Sequence, residues 1–109
     1  MNVNDRVLSE IADVIEVRKN AAAESSYVSQ LLHRGEDAIL KKVIEEAGEV
    51  LMASKDGNRL HIIKEVADVW FHTMVLLAYH GVRAEDVLME LRRRQSISGL
   101  DEKASRPQS

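Results

Sequence analysis

The sequence predicts an all-α protein, a bundle of four to five helices. Apolar residues recur at spacings of three and four in successive segments, which is the period of an amphipathic helix. The only proline is Pro107, near the carboxyl end, and most of the five glycines fall at segment ends. No tight turn separates two alternating apolar runs, and aromatic residues make up only 4% of the chain, so the signals of strands are missing. Helices are therefore expected throughout.

Composition limits the kind of protein this can be. With 109 residues, 45% of them hydrophobic, the chain is expected to form one domain, residues 1–109. A formal net charge of −3 provides no basic surface for nucleic acid, and the absence of cysteine excludes disulfides and thiolate metal sites. There is no apolar run of about 18 residues and no signal-peptide pattern at the start. The chain is expected to be cytoplasmic and to bind neither nucleic acid nor membranes.

The first helix belongs to an N-terminal segment of residues 1–24. Asn4 or Asp5 can cap its beginning, and it is expected to fray beyond Lys19. Its apolar positions follow the spacing of a single helix face: Val7, Leu8, Ile11, Val14, Ile15 and Val17.

The second and third helices are separated by a glycine. Ser25 or Ser26 is expected to start a short second helix, which ends at Gly35. Glu36 places negative charge at the start of the third helix, where the helix dipole favours it. The third helix is expected to run to about Lys55.

The fourth helix, from about Arg59 to His80, is apolar on almost every side. A helix of this kind is normally buried, yet four or five short helices could not cover it all. The sequence therefore predicts a homodimer or a larger homo-oligomer whose shared core is completed by a second copy. A fifth helix is expected from about Arg83 to Arg94, and residues 96–109 form a polar tail that is expected to be mobile.

Two acidic clusters interrupt the third and fourth helices. At about 100° per residue, Glu45, Glu46 and Glu49 share one face of the third helix. Glu65 and Asp68 are neighbours on the fourth, because residues three apart lie side by side. Since the fourth helix is expected to be buried, its carboxylates should point inward or into a cleft.

A short connection around Gly57 makes these two helices antiparallel neighbours, so the acidic clusters can face each other. Two like charges about 5 Å apart repel by roughly 3 kcal/mol at an effective dielectric near 20, and a small domain has only about 5–15 kcal/mol of stability. Protonation or a cation must offset this repulsion, and oxygen ligands favour Mg²⁺ or Mn²⁺. The alternative is a solvated face, with Lys41 and Lys42 pairing with Glu45 and Glu46.

The acidic pattern resembles a known signature. Ser26-Tyr27, then Glu45-Glu46-x-x-Glu49, then Glu65-x-x-Asp68 after fifteen intervening residues, is similar to that of the all-α, MazG-type nucleoside-triphosphate pyrophosphohydrolases. The flanking sequence, from Ser26 to about Arg106, resembles more narrowly the phosphoribosyl-ATP pyrophosphohydrolase family of histidine biosynthesis. The runs that carry this narrower resemblance are residues 26–35, 39–50, 65–77 and 98–106. No role is carried onto the first helix.

The resemblance implies Mg²⁺-dependent hydrolysis of phosphoribosyl-ATP to phosphoribosyl-AMP and pyrophosphate. It implies that Glu46, Glu49, Glu65 and Asp68 hold one or two metal ions. Glu45 and Glu46 are the candidate catalytic residues, with Glu45, or whichever carboxylate does not bind metal directly, as the base that activates water.

Three further residues are candidates for substrate binding, each with a plainer alternative. Lys42 could reach a phosphate oxygen or simply neutralise the carboxylates. Tyr27 could stack on a base or ribose, although a lone aromatic residue on a short helix often only packs. Either His72 or His61 could support a metal-binding carboxylate from behind, and for His61 a surface or capping role is the favoured alternative.

Two other functions stay open on the sequence alone. A housekeeping pyrophosphatase for nucleoside triphosphates would share the fold and the metal chemistry. A non-catalytic helical oligomerisation module would leave its carboxylates exposed. A di-iron bundle is disfavoured, because no Glu is followed by His three residues later.

Overall fold

The computed structural model describes residues 6–96, and every regular element in that range is helical. The all-α prediction is confirmed. Five α-helices are joined by short connections, with one turn of 3₁₀-helix, Ala23–Ser25, between the first two. Their bounds are Arg6–Lys19 for α1, Tyr27–Arg34 for α2, Glu36–Asp56 for α3, Arg59–Tyr79 for α4 and Ala84–Gln95 for α5.

The predicted helix ends agree with the observed ones because local capping groups fix them. The Ser26 hydroxyl accepts a hydrogen bond from the Ser29 backbone N–H at 3.0 Å and caps α2. Gly57, at a φ of 70°, ends α3 in the left-handed conformation that glycine adopts without strain. One residue later, the Asn58 side chain caps α4 by accepting from the His61 N–H at 3.1 Å. The resulting tight turn sets α3 and α4 antiparallel.

Other predictions about the ends of the chain have different outcomes. The 3₁₀ turn was not predicted, since its alanine-rich sequence carries no distinctive turn signal. The proposed caps Asn4 and Asp5 and the mobility assigned to residues 97–109 lie outside the described residues.

Replacing Ser26 by Ala is expected to lower the free energy of unfolding by about 1 kcal/mol, the usual cost of losing a helix cap. The Ser29 N–H would lose its acceptor, and Ser29 is fully buried. Urea unfolding followed by circular dichroism measures the change. The control is Ser54→Ala, an exposed serine near the end of α3, which should shift stability by less than about 0.5 kcal/mol. Equal losses in both variants would contradict the capping role.

The hydrophobic core lies at one end of the molecule. It is formed by α1, α2, the beginning of α3, the second half of α4 and the start of α5. Ile15, Ile39 and Val75 are its most completely buried large side chains. Lys19 fastens α1 to this core, because its ammonium group donates a hydrogen bond to the Ala78 carbonyl near the end of α4 at 2.7 Å. The α3–α4 turn lies at the other end of the hairpin, away from this core.

The inward face of α3 differs from the expected one. On α3, apolar residues that include Ile39, Leu40 and Leu51 share an arc beside the acidic face, and the sequence predicts that this arc and nearly all of α4 lie in the interior. Instead α3 turns Ile39, Glu46 and Ala53 inward, and Leu51 is 61% exposed. Ile44, outside that arc, is 72% exposed. On α4, Leu60 is 79% exposed. A single chain therefore leaves much of the apolar surface of this hairpin uncovered.

Candidate active site

Three carboxylates meet between α3 and α4, near the turn that joins them. Glu46, Glu49 and Glu65 each contribute one oxygen to a group in which all three atoms lie within 4.8 Å of one another. Glu46 is only 8% exposed and Glu65 only 5%, whereas Glu49 is exposed. This carboxylate cluster is thus buried on one side and open to solvent at Glu49.

Glu65 is electrostatically unsatisfied within the cluster. Its Oε2 is buried and has no hydrogen-bond partner in the described part of the chain. The pKa of Glu65 is raised, chiefly because its carboxyl group lies close enough to that of Glu49 for the two to share a proton. Burial and the charges of Glu49 and Asp68 raise this pKa further, and His61 opposes them. A proton on this carboxyl group reduces the repulsion between the carboxylates, as a bound cation would.

The donor set fits a divalent ion of the hard type. All three side chains offer oxygen, which Mg²⁺ and Mn²⁺ prefer. The buried oxygen of Glu65 lacks a partner that a positive ion would supply. Glu46, Glu49 and Glu65 are therefore the residues that could hold a metal.

Asp68, the fourth predicted ligand, lies outside the group of three. It is half-buried one turn beyond Glu65, and its charge contributes to the raised pKa of that residue. The structure thus brings Asp68 near the carboxylate cluster but not into it. Its role as a ligand stays a prediction.

Lys42 and Glu45 lie beside the carboxylate cluster. The Lys42 ammonium is 3.9 Å from Glu46 Oε1 and 3.7 Å from Glu45 Oε2. Both roles predicted for Lys42, charge neutralisation and phosphate binding, are compatible with this position. Glu45 is exposed and can exchange protons with water, as a base must, but nothing in the structure tests its catalytic role.

Tyr27 and His72 form a hydrogen-bonded pair that also contacts the backbone of Asp68. The Tyr27 hydroxyl is 2.8 Å from His72 Nε2, and His72 Nδ1 is 2.9 Å from the Asp68 carbonyl oxygen. Because a carbonyl only accepts, the network places the proton on Nδ1, so Nε2 accepts from the tyrosine. The pair joins α2 to α4 close to the acidic residues. Their predicted contacts with substrate stay predictions.

His61 lies at the surface, as expected, and its side chain also reaches the site. Its Nε2 lies 3.2 Å from Glu65 Oε1. The four-residue spacing from His61 to Glu65 was the one signal in the sequence for this contact.

Comparison with known proteins identifies the family of this chain. The family model described as phosphoribosyl-ATP pyrophosphohydrolase matches residues 8–95, which includes most of α1. A protein of Chromobacterium violaceum named phosphoribosyl-ATP pyrophosphatase is 70% identical over 92% of this chain and 93% of its own length. Proteins with the same name from Neisseria meningitidis serogroup C and Nitrosospira multiformis are 64% and 55% identical, over 98% and 92% of this chain and 100% and 83% of their own lengths.

These matches extend over nearly the whole chain. No helix among residues 6–96 is both long and apolar enough to span a membrane. With the all-α, MazG-like fold and the carboxylates between its two long helices, the chain belongs to the phosphoribosyl-ATP pyrophosphohydrolase family.

Proposed function

We propose that this chain hydrolyses phosphoribosyl-ATP to phosphoribosyl-AMP and pyrophosphate, a step of histidine biosynthesis, with Mg²⁺ or alternatively Mn²⁺ as the metal. The observation that carries the proposal is the buried, unpartnered oxygen of Glu65, which is one of the three residues of the carboxylate cluster. It stands in a chain whose relatives are named for this activity. We expect the enzyme to work in the cytoplasm.

The substrate explains why a cation is needed at this site. A triphosphate chain is strongly negative and is repelled by bare carboxylates. When bound, Mg²⁺ neutralises phosphate charge and polarises the phosphorus centre that is attacked. Glu46, Glu49 and Glu65, with Asp68 beside them, hold the ion in this proposal. Burial of Glu46 and Glu65 excludes water from one side of the site, which strengthens its electrostatic interactions.

The remaining chemistry is a water attack on the α-phosphate. The bond from the α-phosphorus to the bridging oxygen breaks, and pyrophosphate leaves with that oxygen. Glu45 accepts the proton from the attacking water, a role that requires a carboxylate able to exchange protons with solvent. Lys42, within 4 Å of both Glu45 and Glu46, would contact a phosphate oxygen in this proposal.

We also propose that the enzyme is a homodimer, with a larger homo-oligomer as the alternative. Both long helices carry an exposed apolar stripe with alternating spacings of three and four residues, as in the seam between bundled helices. The α4 stripe continues at Trp70, which is 58% exposed, into an apolar groove of about 410 Å³ between α4 and α5. A second α3–α4 hairpin would cover both. The α3 stripe is Leu40, Ile44, Ala47 and Leu51, and the α4 stripe is Leu60, Ile63, Ala67 and Trp70.

The activity can be tested with a nucleotide panel. We expect the purified protein to release pyrophosphate from phosphoribosyl-ATP with Mg²⁺, much faster than from any canonical dNTP, and to stop when EDTA removes the metal. Faster hydrolysis of dNTPs would instead indicate a housekeeping pyrophosphatase. No turnover of any nucleotide, with no binding of Mg²⁺ or Mn²⁺, would indicate a non-catalytic module.

A further inference from the structure

Glu65 uses its two carboxylate oxygens differently. Oε1 lies 3.2 Å from His61 Nε2, whereas Oε2 is buried and has no hydrogen-bond partner in the described part of the chain. The oxygen available to a cation is therefore the one that His61 does not contact. The imidazole approaches from one turn earlier on the same helix, since the two residues are four apart.

We propose that His61 is a positioning residue: by holding Oε1, it keeps Oε2 of Glu65 directed at the metal. This inference rests on the metal site in the function proposed above. A carboxylate free to rotate about its last bond would have to be ordered by the ion itself, at a cost in affinity. Groups that hold the ligands of a metal are typically worth about 10–100-fold in metal affinity or activity.

Among the groups around Glu65, His61 is the one suited to orient its carboxylate. The groups that act on its charge are Glu49, Asp68 and His61, and only His61 is of opposite sign. Lys42, the basic side chain close to the cluster on α3, contacts Glu45 and Glu46 instead.

A second His–Glu pair shows what an ordinary surface contact looks like in this protein. His80 Nε2 is 2.9 Å from Glu36 Oε2, and both side chains are about half exposed, at 51% and 43%. Such pairs contribute little to stability. His61 is similarly exposed, at 47%, but its partner Glu65 has a side chain only 7% exposed, so the two pairs differ in the burial of the carboxylate.

The test is direct binding of Mn²⁺ to the full chain without nucleotide, measured by electron paramagnetic resonance or calorimetry. His61→Ala is expected to weaken Mn²⁺ binding by about tenfold, while His61→Gln, which again offers an N–H donor, stays close to wild type. The matched control is His80→Ala, which removes the exposed His–Glu pair and should bind Mn²⁺ normally. Helical circular dichroism and melting temperature should be similar in all three variants.

Kinetics give a second measurement that a purely structural role would not change. In His61→Ala, the Mg²⁺ concentration for half-maximal activity should rise about tenfold, and kcat at saturating Mg²⁺ should be largely restored. Unchanged Mn²⁺ binding in His61→Ala, or equal weakening in His80→Ala, would overturn the positioning role. Wild-type protein that binds Mn²⁺ but does not cleave phosphoribosyl-ATP would overturn the proposed function and leave His61 in place. Wild-type protein that binds no Mn²⁺ would overturn both.

Discussion

Replacing Glu65 by Gln should reduce turnover of phosphoribosyl-ATP by more than about a hundredfold, because even groups that merely orient metal ligands are worth roughly 10–100-fold. The amide keeps the size of the side chain but removes the charge that holds the cation. Steady-state pyrophosphate release at saturating Mg²⁺ measures the loss, with Glu36→Gln on the exposed start of α3 as the control. Near wild-type turnover in Glu65→Gln would remove this residue from the mechanism.

The same variant should be more stable than wild type when metal is absent, and the sign follows from the pKa of Glu65. Because this pKa is raised in the folded state, the folded protein binds the proton more tightly than the unfolded chain. Stability from this group is present below its ordinary pKa of 4.5 and is lost as pH rises through the raised value. Glutamine imitates the protonated form at every pH.

Melting temperatures in EDTA should therefore separate at neutral pH, with Glu65→Gln above wild type, and converge in acid. Adding Mg²⁺ should raise the melting temperature of wild type and leave that of the variant unchanged. Glu90→Gln is the control of opposite sign, since a hydrogen bond from Arg93 lowers the pKa of Glu90. Its stabilisation is present above the ordinary carboxyl pKa and is lost as pH falls through the lowered one. Identical pH profiles for the two variants would contradict the assignment.

Replacing Ile63 by Lys should convert the proposed dimer to monomers. Ile63 is 56% exposed in one chain, and burying an isoleucine is worth about 1.5–3 kcal/mol. Only the exposed part of this side chain remains to be buried, and a two-fold dimer contains the change twice, so its loss corresponds to roughly 10- to 300-fold weaker association. Analytical ultracentrifugation distinguishes one chain of 12.3 kDa from two.

The control for this experiment is Val17→Lys, at a residue that is 72% exposed on α1 and outside both apolar stripes. It should leave the assembly intact. A wild-type protein that sediments as a monomer at micromolar concentration would rule out the dimer. An Ile63→Lys variant that remains dimeric would place the interface elsewhere.

Local signals explain how much of the fold could be predicted. Ser26 starts α2 through its side-chain hydroxyl, and Gly57 ends α3 through its backbone conformation, so the sequence locates those helix ends closely. The convergence of Glu49 and Glu65 could also be predicted from a local signal. A tight turn at Gly57 makes their helices antiparallel and leaves both residues about two turns from it.

Features that depend on tertiary packing were harder to predict. The apolar arc of α3 has two edges, and periodicity does not say which edge packs against its own chain. In the structure, the edge that carries Ile39 and Ala53 packs against the rest of the chain. Glu46 is buried between them, and Ile44 stays exposed. The Tyr27–His72 hydrogen bond joins residues far apart in sequence, so no local sequence pattern could predict it.

The distance between the hydrophobic core and the α3–α4 turn has a thermodynamic consequence. Core residues such as Ile15 and Val75 pack around one end of the hairpin. The other end has mutually repelling carboxylates between its helices and exposed apolar side chains on its outer surface. In the proposed enzyme, the metal ion and the second subunit both stabilise this end of the hairpin. We therefore expect metal occupancy and self-association to be linked equilibria, each strengthening the other by the same factor.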